Sequence, residues 1–283
     1  MMIGRTFGPY HVLDSIRLGG MLADVYLAID RSGQRYALRL LREVFRDDRS
    51  AVRQFLETSE VIHNFDHPNV IKLLAVGKIE RVPFAALEYV KSANLKEATV
   101  RNDLYVAEHA FDLLRQIAHG LKHIHDRGFL HLDMKPENIL VPHRDYARVI
   151  DFDLALPRPP KPRKLRRVSG TLAFLAPELI AEQLVDERTD IFALGVIAYK
   201  LLTGKEPMSA QTRKEMLAKY ADSRLHFTPP RRHNPRIPPA LEKIILNCLE
   251  KEPARRYPAM SLVVRDLQAL GDLPRLVAPQ SAN

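Results

Sequence analysis

The chain has 283 residues, of which 46% are hydrophobic, and this is enough to bury a substantial core in one large domain or two lobes. Its single cysteine, Cys248, excludes an internal disulfide framework and fits a reducing compartment. The formal charge is +9, but residues 157–168 hold six basic residues and no acidic one, so the basicity forms one local patch.

No stretch approaches the roughly 20 consecutive apolar residues that a membrane-spanning helix needs. The first residues, MMIGRTFGPYHV, lack the charged-then-apolar order of a signal peptide. We therefore expect a cytoplasmic protein without a membrane span. Cys248 is expected on the apolar side of a helix, in a structural role.

The first ninety residues are predicted to form strands and one helix. Segments of alternating apolar and polar residues flank a turn at Gly19-Gly20, as paired strands do. Apolar residues at helical spacing in 49–65, with Pro68 just beyond them, predict the helix. The strand candidates are 8–16, 23–29, 35–41, 69–79 and 82–90.

From about residue 91 onward the pattern predicts helices, over 105–128, 189–205, 238–251 and 261–271. A strand-rich first part followed by a helix-rich second part predicts an α+β protein of two lobes, joined near residues 88–91. Ligands bind preferentially in the clefts between such lobes.

The segment HLDMKPENIL, residues 131–140, carries Asp133, Lys135 and Asn138 after the first of these helices. An apolar run further along delivers Asp151, so these polar side chains can converge. An aspartate that accepts a hydroxyl proton, with an Asn and an Asp that hold Mg²⁺, is what phosphoryl transfer requires. That reaction depends mostly on positioning and on charge neutralisation, and the lysine suits the transferred phosphate.

This order of residues resembles the protein kinase family, and the likeness extends from about Tyr10 to Leu270. HLDMKPENIL resembles the family's catalytic loop, and DFD at 151–153 resembles its metal-binding segment. APE at 176–178 resembles the end of the activation segment. The likeness implies the two-lobed protein kinase fold.

Two later motifs add to the resemblance. TDIFALG, residues 189–195, is similar to the helix whose aspartate, Asp190, braces the catalytic loop. EKEPARRYP resembles the late turn whose arginine, Arg256, pairs with the glutamate of APE, Glu178. Five motifs in family order are a far more specific signal than any one of them.

The resemblance implies a protein kinase domain over 10–272. It would comprise a small antiparallel-sheet lobe with one helix at 10–90, a mostly helical lobe at 91–272, and a short tail at 273–283. It also implies ATP as the phosphate donor, Mg²⁺ (or Mn²⁺) as the metal, and a serine or threonine of another protein as the acceptor.

The family's roles carry over residue by residue. Asp133 would be the catalytic base with Lys135 beside the phosphate, and Asn138 and Asp151 would hold the metal. Lys135 with Thr171 is similar to the serine/threonine subgroup, in the style of the eukaryotic-like kinases of bacteria. The implied ATP-binding residues are Leu18, Gly20, Val25, Ala37, Arg39, Glu88, Val90 and Leu140. The implied structural or regulatory residues are Asp190, Glu178, Arg256, Thr171 and Ser169.

The nucleotide-positioning motifs depart from the family. Arg39 stands where the third strand carries a phosphate-holding lysine, and these two side chains are not interchangeable. Thr58 falls at the position of that lysine's partner glutamate, and only a slipped helix would let Glu57 or Glu60 replace it. In LGGMLADV, Gly20 alone falls on a glycine of the phosphate loop.

Two substitutions lie near the metal-binding and catalytic motifs. Asp153 replaces the glycine of D-F-G, either as a tolerated loop residue or as an extra carboxylate near the metals. Leu132 replaces the arginine that reads a phosphorylated activation segment. We therefore expect that phosphorylation of Ser169 or Thr171 does not switch activity by that route.

The basic segment 157–168 lies within the activation segment, and its four prolines exclude a regular helix. Three interpretations stay open: a solvated loop, a dock for an acidic or phosphorylated protein partner, and a nucleic-acid contact. Nucleic acid is the least favoured, since no aromatic residue is interleaved for base stacking.

Two functions are consistent with these residues. The first is an ATP-dependent serine/threonine protein kinase of weak or conditional activity, which the retained catalytic-loop and metal residues favour. The second is a pseudokinase that acts as a binding or regulatory scaffold. The missing lysine, glutamate and glycines favour this second function.

Overall fold

Six strands near the amino terminus form one antiparallel sheet. The computed structural model describes residues 2–17, 21–143, 145–222, 224 and 226–273, so the turn predicted at Gly19-Gly20 lies outside them. The strands are β1 (Thr6–Phe7), β2 (Tyr10–Arg17), β3 (Ala23–Ile29), β4 (Arg35–Leu41), β5 (Leu73–Ile79) and β6 (Val82–Glu88). Their order in the sheet is β1-β2-β3-β4-β6-β5.

The alternation of side chains along β4 gives this sheet two different faces. Leu38 and Leu40 belong to a small core on one face, together with Tyr10 and Val12 of β2. Leu41 lies on the opposite face and belongs to the main core. Arg39 shares the parity of Leu41, so the strand directs it towards the interior of the molecule.

Helix α1 (Arg49–Val61) packs beside this second face, against β5 and β6. Its amino terminus is capped by Asp48, whose carboxylate accepts hydrogen bonds from the backbone N–H groups of Ser50 and Ala51. Its buried side chains are Ala51, Phe55, Thr58 and Ser59. The apolar spacing noted in the sequence therefore marks the face that enters the core.

The rest of the chain is mostly helical. Its helices are α2 (Leu95–Val100), α3 (Leu104–Glu108), α4 (Ala110–Asp126), α5 (Pro177–Glu182), α6 (Glu187–Thr203), α7 (Arg213–Ala221), α8 (Pro239–Cys248) and α9 (Met260–Ala269). Its strands are β7 (Phe129–Leu130), β8 (Ile139–Leu140), β9 (Arg148–Val149), β10 (Leu156–Pro157), β11 (Arg163–Lys164) and β12 (Leu184–Val185). These short strands pair as β7 with β10, β8 with β9, and β11 with β12.

Helix α6 is the centre of this lobe and is buried on nearly every side. Gly195 lets α8 approach it closely, because a Cβ atom at this position would lie 2.8 Å from Cβ of Cys248. Cys248 is buried there, and burial raises the pKa of its thiol to about 12. The cysteine therefore packs as a small apolar residue and is protonated at neutral pH.

The predicted α+β architecture of a sheet-rich lobe followed by a helical lobe is confirmed. The single helix predicted over 105–128 is wrong in one respect, because the chain breaks at His109 into α3 and α4. The helices α2, α5 and α7 and the paired short strands were not predicted, since such short segments show little periodicity. None of the helices in the described part of the chain combines the length and apolar character that crossing a membrane requires.

Candidate active site

A cleft lies between the sheet and the helical lobe. Its described lining is largely apolar, and its charged residues include Asp151 and Asp153 of the segment that the sequence predicted to bind metal. Six of the predicted ATP-binding residues line it: Val25, Ala37, Arg39, Glu88, Val90 and Leu140. The other two, Leu18 and Gly20, lie outside the described residues. An apolar cleft with a few charged residues suits a flat aromatic base joined to phosphates.

Glu88, in the strand that leads from one lobe to the other, has its carboxylate engaged by the protein. Its Oε1 accepts a hydrogen bond of 3.0 Å from the backbone N–H of Lys72 and one of 3.2 Å from Nε of Arg148. The carboxylate therefore tightens the junction between the lobes, and it is not a free charge in the cleft.

The catalytic loop is held from below by the buried carboxylate of Asp190. Its two oxygens accept 2.8 Å hydrogen bonds from the backbone N–H groups of His131 and Leu132. Leu132 has a positive φ of 61°, and this anchoring holds the backbone in that left-handed conformation. Asp190 lies where the sequence analysis expected a residue that braces this loop.

His125 completes this network from helix α4. Its Nε2 lies 2.8 Å from Asp190 Oδ2, and its Nδ1 lies 3.1 Å from Glu187 Oε1. Burial opposes the charged imidazolium, but hydrogen bonds and charge from these two carboxylates raise the pKa of His125 to about 9. The same contacts hold the pKa of Asp190 low despite its burial. A buried cation thus neutralises the carboxylate that shapes the catalytic loop.

Asp133, Lys135 and Asn138 come together, as the sequence suggested. Lys135 Nζ lies 2.6 Å from Asp133 Oδ2, and Asn138 Nδ2 donates to the same oxygen at 2.9 Å. Both partners therefore engage one oxygen and leave Oδ1 on the side of Gly170. Gly170 lies beside that oxygen, since a Cβ atom at this position would be 3.6 Å from Oδ1. Among the described residues nothing donates a hydrogen bond to Oδ1, so this oxygen keeps its capacity to accept one.

The residue types at the expected metal site fit a divalent cation. The amide oxygen of Asn138 is buried and has no hydrogen-bond partner among the described residues, and an unpaired carboxamide oxygen is a suitable ligand for Mg²⁺. Asp151 supplies the carboxylate, from a backbone with φ of 68°. The hydrogen bond from the Ile150 N–H to the Asn138 carbonyl, 3.0 Å long, ties the two segments together.

Asp151 also carries an unexpected partner, Arg17. Nη1 of Arg17, at the end of β2, lies 3.0 Å from Asp151 Oδ2. Burial disfavours the charged carboxylate, but Arg39 and Arg17 together hold the pKa of Asp151 below its ordinary value. The Arg17 side chain is 47% exposed, so it can leave at little cost. A metal ion would compete with this guanidinium for the carboxylate.

The buried arginine of β4 pairs with the residue after D-F. Nη2 of Arg39 donates to Oδ1 of Asp153, and both side chains are buried. Asp153 lines the same cleft as Asp151, and in this structure the cation beside its carboxylate is Arg39. The two interpretations from sequence, a tolerated loop residue and an extra carboxylate near the metals, stay predictions. Helix α1 does not slip to provide a carboxylate, since Glu57 and Glu60 are exposed and Thr58 faces inward.

The activation segment is anchored at its carboxyl end by Glu178. Nη1 and Nη2 of Arg256 donate to its two carboxylate oxygens at 2.9 and 2.7 Å. This is the pairing that the sequence analysis expected for these two residues. Upstream, Ser169 is partly buried and Thr171 is exposed. Thr171 and Asp133 line the same small cavity, so a substrate hydroxyl near Asp133 would lie beside this segment.

The basic segment 157–168 contains no helix, as its prolines predicted, and part of it pairs through β11 with β12. Arg158 lies 2.8 Å from Glu187. The remaining five basic side chains are exposed and form no ion pair with the described residues: Lys161, Arg163, Lys164, Arg166 and Arg167. The segment therefore presents positive charge on an ordered backbone.

Sequence reasoning missed three members of this site. Arg17 belongs to none of the motifs described above, and its pairing with Asp151 depends on where β2 ends relative to the cleft. The partner of Arg39 was sought on helix α1. His125 carried no signal beyond its position near a helix end, because its charge arises from carboxylates that the fold brings to it.

Comparison with known proteins agrees with this geometry. Residues 12–267 match the family described as the protein kinase domain. The chain is 31% identical to the serine/threonine-protein kinase PrkC of Bacillus subtilis over 279 residues, which cover 98% of this chain and 43% of that protein. It is 29% identical to the serine/threonine-protein kinase pkn3 of Myxococcus xanthus, covering 95% and 51%. It is 26% identical to the serine/threonine-protein kinase PknB of Mycolicibacterium smegmatis, covering 92% and 43%.

The chain thus spans roughly half or less of the length of these relatives. The family match nevertheless includes the sheet from within β2 onward, the catalytic loop and the Glu178–Arg256 pair. The chain belongs to the protein kinase family, among the eukaryotic-like serine/threonine kinases of bacteria.

Proposed function

We propose that this chain is an ATP-dependent serine/threonine protein kinase whose activity is weak or conditional, in a domain that spans 10–272. One observation carries the proposal: Lys135 and Asn138 converge on one oxygen of Asp133, and the other oxygen, beside Gly170, accepts no hydrogen bond from the described residues. A scaffold that performs no chemistry has no need of this arrangement.

Each residue of the catalytic loop then has a defined task. Asp133 accepts the proton of the acceptor hydroxyl, and Lys135 neutralises charge on the transferred phosphoryl group. Asn138 and Asp151 would hold Mg²⁺ or Mn²⁺, which supplies charge neutralisation on the ATP phosphates when bound. Arg39 takes the place of the family's lysine as the phosphate clamp.

The conditional character follows from Arg17. Its guanidinium occupies one oxygen of Asp151, so a metal ion that takes both oxygens of this carboxylate must displace Arg17. Because Arg17 is half exposed, that exchange is reversible and depends on the metal concentration. We expect Arg17→Ala to lower the Mg²⁺ concentration needed for half-maximal ATP binding.

The first test is a calorimetric titration of Mg²⁺·ATP into the protein, with Asp151→Asn as the control. The proposal requires binding that is lost or strongly weakened in the control, and loss in Arg39→Ala as well. Absence of binding at millimolar ATP with the fold intact would refute it. A phosphotransfer assay follows, in which Asp133→Asn must abolish incorporation, since incorporation that persists would come from a contaminating kinase.

A second candidate function is a pseudokinase scaffold. The observation that favours it is that two ion pairs occupy the cleft, one between Arg17 and Asp151 and one between Arg39 and Asp153. In this case the ion pairs would close the cleft and the basic segment would be the binding surface. The calorimetric titration distinguishes the two functions.

For either function, the proposed partner is an acidic or phosphorylated protein that binds along 157–168, in the cytoplasm, with nucleic acid as the least favoured alternative. The support is the set of exposed cations without ion pairs, close to the substrate side of the cleft. The test compares binding of an acidic peptide and a neutral peptide of equal length. Arg166→Ala should weaken only the former, and the exposed Arg101→Ala serves as a matched control.

A further inference from the structure

The buried arginine of β4 is neutralised by a carboxylate of the metal-binding segment. Arg39 is 6% exposed and Asp153 is 9% exposed, so water screens neither charge well. Within the described residues, Asp153 Oδ1 is the one acceptor that the guanidinium bonds. Burial works against the charged guanidinium, but Asp153 and then Asp151 raise the pKa of Arg39. A buried cation without such a partner is strongly destabilised, so Asp153 is what lets Arg39 remain in the cleft.

Helix α1 contributes packing to this arginine but no charge. The guanidinium lies 5.6 Å from the centroid of the Phe55 ring. Thr58 is three residues further on and therefore shares this face of the helix. Its hydroxyl donates to the Gln54 carbonyl at 2.8 Å and is occupied within the helix itself. The two nearest glutamates, Glu57 and Glu60, are exposed to solvent.

We propose that Asp153 is the positioning residue that holds Arg39 against the nucleotide phosphates, in place of a glutamate on helix α1. This inference rests on the proposed function, in which Arg39 is the phosphate clamp. The two departures from the family motifs are then one coordinated change, since the carboxylate has moved from the helix to the residue after D-F.

The side-chain chemistry explains why this arrangement uses arginine. A guanidinium presents five N–H donors in a planar fork, whereas an ammonium is a single point of charge. Asp153 engages Nη2, and the remaining donors are without an acceptor among the described residues. Arg39 also lines the same cleft as Asp151, the carboxylate proposed to bind the metal. Arg39 can therefore bond Asp153 and a phosphate at the same time.

The pair between Arg39 and Asp153 connects the two lobes of the protein. Arg39 and Asp153 are 114 residues apart and belong to β4 and to the segment after β9, so their pair joins the two lobes. The position of the clamp then depends on the approach of the lobes and not on the orientation of helix α1. Substitution of the exposed Glu57 or Glu60 by glutamine should leave nucleotide binding unchanged.

The test is Mg²⁺·ATP affinity, measured by calorimetry at a temperature at which circular dichroism shows every variant to be folded. Asp153→Gly, which introduces the family's residue, should weaken binding by about 10- to 100-fold, the usual loss when a residue that orients a ligand-binding group is removed. Asp153→Asn keeps the size of the side chain and should show the same loss. It serves as the measurement of the lost charge if the glycine variant does not fold.

Rescue distinguishes positioning from a structural role. Thr58→Glu in the Asp153→Gly background returns a carboxylate to the face of α1 beside Phe55, and it should restore most of the affinity. Thr58→Gln in that background is the uncharged control and should restore none. A purely structural role of Asp153 predicts lower stability with unchanged affinity of the folded protein.

The outcomes separate this inference from the proposed function. If the unmodified protein binds Mg²⁺·ATP and Asp153→Gly and Asp153→Asn bind equally well, Asp153 does not position the clamp and the inference alone is overturned. If the unmodified protein does not bind Mg²⁺·ATP, the proposed function and the inference both fall. Loss in both variants with rescue by Thr58→Glu supports both.

Discussion

The ion pair between Arg256 and Glu178 is expected to contribute strongly to the free energy of unfolding. The Arg256 side chain is fully buried, and Glu178 is 10% exposed. Besides the two bonds to Glu178, the guanidinium donates to the carbonyl oxygens of Arg188 at 2.9 Å, Glu250 at 2.7 Å and Lys251 at 3.2 Å. One side chain thus ties the end of the activation segment to the start of α6 and to the turn after α8. The substitution Arg256→Met keeps a long unbranched side chain and removes its positive charge.

The expected cost follows from what the substitution leaves behind. Removing one partner of a buried ion pair costs about 3–5 kcal/mol, because the other charge stays buried without compensation. The hydroxyl of Thr189, 3.3 Å from Glu178 Oε1, offsets little of this loss. We therefore expect the free energy of unfolding to fall by about 4 kcal/mol, a large part of the total stability of a typical domain.

The assay is urea unfolding, followed by circular dichroism, of the unmodified protein, Arg256→Met, Glu178→Gln and the double variant. The double variant should lose less than the sum of the single losses, since it leaves no uncompensated charge. The neighbouring Arg255 is a matched control: its pair with Glu252, 3.0 Å long, has both side chains 66% exposed. Arg255→Met should change the unfolding free energy by less than about 0.5 kcal/mol.

A loss below about 1 kcal/mol for Arg256→Met would refute this reasoning, because it would place the buried pair in the range of exposed ones. Additive losses in the double variant would also contradict it. In that case Arg256 would act through its carbonyl contacts and not through Glu178.

Four further predictions concern other parts of the molecule. The pKa of His125 is raised from 6.5 to about 9, so the protonated ring stabilises the folded protein fully below pH 6.5, and this stabilisation is lost as the pH rises through 9. The free energy of unfolding should therefore fall by roughly 3 kcal/mol from pH 6 to 9.5. His125→Gln should abolish this pH dependence. The pKa of Glu187 is lowered to about 2, so its carboxylate stabilises the folded protein above pH 4.5, and this stabilisation is lost as the pH falls through 2. Acid unfolding of Glu187→Gln, compared with the unmodified protein, tests this loss. Gly195→Val should destabilise the protein by about 1–3 kcal/mol in urea unfolding, because its Cβ would overlap helix α8, and an unchanged midpoint would contradict the close packing. Ser169→Asp should leave turnover unchanged in a phosphotransfer assay, since Leu132 stands where a phosphate-reading arginine would be, and a strong change would refute this explanation.

Much of the fold could be predicted because its signals are local. Apolar patterning predicted five of the six strands of the amino-terminal sheet, all but the two-residue β1, and helical spacing predicted α1 and the long helices of the second lobe. Boundaries were less predictable. The break at His109 has no proline or glycine to announce it, and the His109 backbone N–H bonds the Tyr105 carbonyl as it would in a short separate helix.

The catalytic loop illustrates how far local sequence reaches. Asp133, Lys135 and Asn138 lie within six positions, so one loop conformation brings them together wherever the rest of the chain goes. Spacing alone therefore indicated the candidate chemistry. The residues of β4 that face the cleft could also be predicted from the sequence, because alternation along the strand places Ala37, Arg39 and Leu41 on one face.

Only the tertiary structure determined which charged groups pair with each other near this loop. Arg17 and Asp151 are 134 residues apart, and Arg39 and Asp153 are 114 apart. Whether two such groups meet depends on the approach of the lobes and on the course of the backbone at Asp151, where φ is positive. Sequence determines which groups can ionise, but burial and distance determine which of them pair, because both the desolvation cost and the Coulomb attraction depend on three-dimensional position.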